Sequence, residues 1–213
     1  MQVTCYFDPL CGWCYGATPA LERMAHMDGI ELALAPSGLF AGEGARAMDA
    51  GFSEYAWRND QRIAQLTGLP FSEAYRTHVL GAHGGSFDSA PATLGIIAVG
   101  LSEPKREHIA LKALQHARYV GGRDITDLTV IADTLAQHGF AEAAHRLASP
   151  DESLLAAYHQ RVGAVRQDMA ALGIQGVPAL VAGHGPTRQL LPANLLFAKP
   201  EDLLRQLQGL SGQ

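Results

Sequence analysis

Cys11 and Cys14 are separated only by Gly12 and Trp13, and a C-x-x-C pair at a strand-to-helix junction points to exchange between a dithiol and a disulfide. Cys11 falls where an apparent strand gives way to a helix, so unpaired N–H groups and the positive end of the helix dipole face it. Such surroundings favour thiolate over thiol, and the thiolate is the attacking species. Cys11 is therefore the expected nucleophile. Cys14 lies three residues further on the same helix face, within reach of disulfide geometry and deeper in the fold, and is the expected resolving thiol. Two inert core cysteines would have no need of Gly12 or of the junction. A structural zinc needs four ligands, and no second C-x-x-C or H-x-x-x-H follows, so no metal is expected.

The flanking elements can be read in order. Val3 to Phe7 is rich in β-branched and aromatic residues and stops at Asp8-Pro9, which predicts a strand and a turn. A helix is expected from Cys11 to about His26, kinked or broken at Pro19 and closed by Gly29, with a second strand over Glu31 to Ala35. Residues 42–149 show no convincing strand and read as a helical block. Ser53 is the expected cap of a helix through Leu66 that Gly68 ends, Ser72 caps another, and Ser89 with Pro91 starts a third. Thr126 precedes Leu128, Ile131 and Leu135 on one face. Ser149-Pro150 opens a long helix with Leu155, Tyr158, Val162, Val165, Met169 and Leu172 at alternating spacings of three and four, ended by Gly173. Pro178 to Ala182 and Arg188 to Leu191 flank a Gly-His-Gly-Pro turn and predict a hairpin, and a last helix runs from about Pro200 to Leu207.

Composition bounds the function. The 213 residues suit one domain, or one domain carrying a large insertion. With 47% hydrophobic and 17% charged residues the chain can bury a core without staples. A net charge of −5 with no run of Lys and Arg argues against a nucleic-acid partner. The longest apolar stretch, Ala92 to Leu101, is about half of the roughly 20 residues that cross a bilayer, so a core helix and no membrane partner are expected. The N-terminus shows neither a basic n-region nor a long apolar h-region, which predicts a cytoplasmic protein. Three cysteines, an odd number, do not make a secreted disulfide scaffold.

The array Asp8-Pro9-Leu10-Cys11-Gly12-Trp13-Cys14-Tyr15-Gly16, a long helical insertion, and Gly176-Val177-Pro178 opening a strand together resemble the DsbA family, particularly its cytosolic, FrnE-like branch of predicted disulfide isomerases. The resemblance covers nearly the whole chain. It implies an α/β, thioredoxin-like fold formed by residues 1–41 and 150–213 and interrupted by an all-helical insertion at 42–149. It implies a thiol–disulfide oxidoreductase or protein disulfide isomerase acting on protein or peptide thiols and disulfides. No cofactor beyond the cysteine pair is expected, with glutathione or a thioredoxin-type reductant as the source of electrons. The resemblance further implies a cis Val177–Pro178 peptide against the Cys11 sulfur, with the backbone of Val177 offered to an extended substrate. Arg62 to Gly68 and Tyr119 to Ile125 resemble insertion segments of the same branch, with no role attached.

One departure stands out. Many thioredoxin-fold enzymes keep a buried acid on the first strand six residues before the nucleophile, and here that position is Cys5, which reads as a small buried hydrophobe. Asp8 is a candidate substitute in proton transfer, against the plainer reading of a turn former. Trp13 is a candidate apolar contact for substrate or a packing residue, and His83 reads as a loop histidine. Two other functions fit the layout. One is a glutathione-dependent isomerase or transferase of the hydroxychromene-carboxylate isomerase or kappa type; such relatives carry Ser where Cys11 stands, and Cys14 counts against it. The other is a non-catalytic binding or holdase role with the dithiol as a redox sensor. Oligomeric state is not legible.

Overall fold

The computed structural model describes residues 1–211. Its centre is the first strand, β1 (Gln2–Phe7), whose Val3, Cys5, Tyr6 and Phe7 are all buried, so both of its faces are covered. β1 pairs in parallel with β2 (Glu31–Pro36) on one side and antiparallel with β5 (Ala179–Ala182) on the other. β6 (Gln189–Leu191) closes the order β2-β1-β5-β6 as the predicted hairpin partner of β5. Cys5 stands opposite Leu34 and Leu180, in the middle of the sheet.

The first helical region is two helices, α1 (Gly12–Gly16) and α2 (Thr18–Ala25). The break falls at Ala17 and not at Pro19 as the sequence suggests. Pro19 sits in the first turn of α2, where the N–H that proline lacks would have no partner within the helix.

The helices of the central block are α3 (Ala50–Thr67), the short α4 (Glu73–Tyr75) running into a π turn at Arg76–Leu80, α5 (Ala90–Ser102), α6 (Glu107–Tyr119), α7 (Leu128–Gln137) and α8 (Ala141–Ala148). Several expected caps shift by a few residues, each time to an aspartate. Asp49, not Ser53, accepts the Phe52 N–H at the start of α3. Asp127, not Thr126, caps α7, and Asp151, not Ser149, caps α9 (Glu152–Ala171). A carboxylate adds charge to the same capping geometry and suits a helix N-terminus at least as well as a hydroxyl. Ser72 caps α4 as expected, and Gly68 ends α3 at φ 75°. The block also contains a two-strand ladder, β3 (Arg46–Ala47) with β4 (Ser86–Phe87), which is too short to show any periodicity in the sequence.

In α9 the buried positions are Leu154, Val162, Val165 and Met169, whereas Leu155 is exposed. The helix begins at Glu152, two residues after Pro150, and its buried stripe runs through Leu154 in place of Leu155. A final helix, α10 (Pro200–Ser211), buries Leu203 and Leu207. Among the described residues no helix is long and apolar enough to cross a membrane.

α9 ties the sheet to the insertion. Arg161 makes a two-pronged contact with the buried Glu107 of α6 and donates to the Leu34 carbonyl of β2 at 2.7 Å. Arg166 donates to the carbonyls of Ser37, Gly38 and Ala41 at 3.1, 2.6 and 3.2 Å, which fixes the loop that follows β2. Arg161→Ala would leave the Glu107 carboxylate buried without its cation and should cost about 3 kcal/mol, read as a lower urea midpoint at unchanged m-value. A midpoint equal to that of the unaltered protein would show that Glu107 finds water or another donor.

Candidate active site

Cys11 is the N-cap residue of α1, extended at φ −82° and ψ 116°. Its sulfur accepts the Cys14 N–H at 3.3 Å and lies 3.6 Å from the Val177 carbonyl oxygen, toward which its S–H is directed. The chain is held there by the Cys11 N–H bonding back to the Asp8 carbonyl at 3.1 Å, which closes the Asp8-Pro9-Leu10 turn. The Val177–Pro178 peptide is cis. The fold thus brings together Cys11, Cys14 and Val177–Pro178 from opposite ends of the sequence.

Cys14 is buried one turn behind Cys11. Burial pushes its thiol well above the ordinary range, the neighbouring Cys11 adds to this, and a hydrogen bond from the Asp8 peptide N–H works the other way. Cys14 is therefore held as the protonated thiol. Cys5 is fully buried in β1, and burial, with a smaller contribution from Cys11, raises its thiol to about 12. It is a packing residue, as its place on a strand suggests. Trp13 is half-buried, with its ring edge-on to Phe197 at 5.4 Å, so it packs against the C-terminal segment and still presents a partly open side. His83 lies in an exposed loop.

Asp8 does more than form a turn. Its carboxyl is fully buried and accepts the Leu10 N–H at 2.9 Å, the Phe40 N–H at 3.1 Å and the Ser89 hydroxyl at 2.7 Å, with the Leu39 N–H as a further donor. Ser89 stands at the start of α5, yet its hydroxyl reaches Asp8 and makes no cap bond. Burial still raises the Asp8 carboxyl above its usual value, and the four donors offset part of this.

The insertion supplies groups to which the sequence attached no role. Tyr119 at the end of α6 stacks on Tyr15 at 4.7 Å and donates its hydroxyl to the Leu10 carbonyl at 2.8 Å, so it braces the turn before Cys11. Phe71 and Tyr75 complete an aromatic cluster beneath α1. Asp60 of α3, only 4% exposed, presses against Gly12: a Cβ placed on Gly12 would lie 2.3 Å from Asp60 Oδ1. Tyr75 donates to Asp60 Oδ2 at 2.9 Å and is itself hydrogen-bonded by Arg118. Burial raises the Asp60 carboxyl to about 7 against the pull of Tyr75 and Arg118. The Arg118 guanidinium is buried among the rings of Tyr75, Phe87 and Tyr119, and its Nε and Nη2 have no hydrogen-bond partner. The Tyr119 to Ile125 stretch was the one signal in the sequence that led toward this cluster.

Residues 2–205 match the DSBA-like thioredoxin domain family. No curated protein matches the sequence. Among solved structures, the cytosolic disulfide reductase DsbM from Pseudomonas aeruginosa is 29% identical with a TM-score of 0.85, over 98% of this chain and 99% of that one. A structure of DsbM with GSH is 30% identical with a TM-score of 0.84, over 100% of both chains. A proposed protein disulfide isomerase from Nitrosomonas europaea is 25% identical with a TM-score of 0.79, over 98% of this chain and 95% of that one. A 2-hydroxychromene-2-carboxylate isomerase shares the fold at 18% identity and a TM-score of 0.62, over 100% and 98% of the two chains.

Gly12 has no positive φ, so what a side chain there meets is packing: Asp60 Oδ1 at 2.3 Å and, less tightly, Ile63 Cδ1 at 3.2 Å. Gly12→Ala should destabilise the chain by about 1–3 kcal/mol, and the same change in an Asp60→Ala background should cost clearly less. Equal penalties in the two backgrounds would remove the contact as the reason for glycine. A second expectation concerns pH. The folded chain keeps the Asp60 proton up to about pH 7, whereas an unfolded aspartate releases it near 3.8. Folding therefore binds a proton in that window, and stability falls as pH rises from about 4 to 7. At about 1.4 kcal/mol per pH unit, the ceiling is on the order of 4 kcal/mol. Asp60→Asn should flatten this decline in a series of denaturation curves, while Asp8 leaves a residual slope of the same sign; an unchanged slope would contradict it.

Proposed function

We propose that this chain, which belongs to the DSBA-like thioredoxin domain family and is a thiol–disulfide oxidoreductase, works through Cys11 and Cys14 by mixed-disulfide exchange on protein or peptide substrates. The observation that carries this is the pairing of the two sulfurs' environments. Cys11 caps α1 with its sulfur on the Cys14 N–H, while Cys14 sits behind it as a thiol that burial keeps protonated.

In the reducing direction the Cys11 thiolate attacks one sulfur of a substrate disulfide. The substrate S–S bond breaks, a Cys11–substrate bond forms, and one substrate thiolate leaves. Cys14 then gives its proton to the released substrate thiolate or to solvent and attacks the Cys11 sulfur, so that the Cys11–Cys14 bond forms and the second substrate thiolate leaves. Two electrons have passed from the protein to the substrate, and the same steps in reverse oxidise a dithiol. Glutathione or a thioredoxin-type protein would return the pair to the reduced state; the structure of DsbM with GSH supports glutathione as the first to try. Val177 offers its backbone beside the Cys11 sulfur, and the half-buried Trp13 offers an apolar surface, to an extended polypeptide. Asp8, whose carboxyl accepts from four donors, positions the turn. The cytosolic DsbM supports a cytoplasmic location.

Cys11→Ser should abolish reduction of insulin disulfides. Cys14→Ser should retain the first step and accumulate a mixed disulfide, visible as an adduct on non-reducing gels and by mass spectrometry. Unchanged turnover in Cys11→Ser would refute the assignment, and glutathione conjugation that survives loss of Cys14 would favour the isomerase or transferase function instead.

A further inference from the structure

The exchange described above leaves Asp60 unused. The buried acids among the described residues are Asp8, Asp60 and Glu107. Asp8 is held by Leu10, Leu39, Phe40 and Ser89, and Glu107 is paired with Arg161. Asp60 is the one that abuts the C-x-x-C segment, with Oδ1 against Gly12, the residue between Cys11 and Trp13. A Cβ at the second position of the motif would lie 2.3 Å from that carboxyl, so one of the two would have to give way.

We propose that Asp60 is a positioning residue that sets the redox poise of the Cys11–Cys14 pair, its carboxylate opposing the Cys11 thiolate and so biasing the protein toward reducing its clients. This rests on the dithiol function proposed above. The physical reason is the sign of the charges. A C-x-x-C protein is a strong oxidant when its reduced, thiolate form is stabilised. A second negative charge in the same poorly solvated region destabilises that form, because like charges there are weakly screened. The disulfide is then harder to reduce and the dithiol is the better reductant.

The groups around Asp60 fit this. From α4, Tyr75 donates to Oδ2 at 2.9 Å. From α6 come Arg118, whose Nε and Nη2 have no partner, and Tyr119. On α1 Asp60 meets Gly12, the residue that follows Cys11. When Asp60 is ionised it answers the charge of Arg118. When it is neutral, Arg118 is left as an uncompensated buried cation, and the thiolate becomes the anion that benefits. The two effects have the same direction. Since the carboxyl takes up its proton near pH 7, the bias is present above that pH and fades below it.

The test compares the unaltered protein with Asp60→Asn, which keeps the shape and an oxygen for Tyr75. Each is equilibrated in glutathione redox buffers from pH 5.5 to 8.5, quenched by alkylation and read by mass spectrometry, and the alkylation rate of Cys11 is followed against pH. At pH 8 the Asp60→Asn disulfide should be about tenfold easier to reduce, which corresponds to about 30 mV. Its Cys11 should also reach half-maximal alkylation at lower pH, and both differences should close toward pH 5.5. Coincident curves at every pH, or a shift of the opposite sign, would overturn the proposal while leaving the dithiol function intact. Failure of the unaltered protein to form a reversible Cys11–Cys14 disulfide would overturn the dithiol function itself. Tyr75→Phe provides a second variant. It removes the donor that favours the carboxylate, so the pH at which the equilibrium bends should rise, and an unmoved bend would also count against Asp60.

Discussion

The buried Asp8 carboxyl is the constraint on which the geometry of the site depends. A fully buried carboxylate is costly unless its lone pairs are met, and here they are met by groups from three separate segments: Leu10 in its own turn, Leu39 and Phe40 after β2, and Ser89 at the start of α5. Satisfying one side chain therefore fixes the end of β1, the loop after β2 and the insertion relative to one another. Arg166 of α9 holds the same loop from outside through three carbonyls. The turn that presents Cys11 is thus tied to each of these segments.

The second brace is aromatic. Tyr15 of α1 lies against Tyr119 and Phe71, and the Tyr119 hydroxyl returns to the Leu10 carbonyl. The helical insertion is thus part of the site, since α3 and α6 pack against the helix that follows Cys11. A two-residue motif on a strand–helix junction has its chemistry from local backbone, and its environment from residues about 50 to 110 positions away.

The charges divide into two kinds. Glu107 with Arg161 is a matched pair whose role is to join β2, α6 and α9. Asp60 with Arg118 is mismatched: Tyr75 stands between them, Arg118 keeps unpartnered nitrogens, and the carboxyl retains its proton to about pH 7. Buried polar groups that are left partly unmet are costly, and their place beside the dithiol is where such a cost has a use.

Most strands and helices were legible in the sequence because they rest on local signals, namely residue spacing, turn formers and periodicity, and the C-x-x-C array carried the resemblance to the family. Cys11, Cys14, β1, β2, the β5–β6 hairpin and the ends of α3 and α9 at Gly68 and Gly173 could be read without coordinates. The cap residues were misplaced because Ser and Thr stood close to the aspartates that do the work, and Leu155 was placed inside because a three-and-four spacing does not fix which neighbouring stripe is buried. Beyond the Val177–Pro178 peptide at the Cys11 sulfur, which the resemblance implied, the partnerships of groups far apart in the chain emerge only in the folded arrangement: Ser89 and Phe40 on Asp8, Tyr119 on Leu10, and Asp60 against Gly12. The reason is that burial and hydrogen-bond pairing are settled by which elements meet in space, and a glycine within C-x-x-C shows its need for space only once the carboxyl that occupies it is in place.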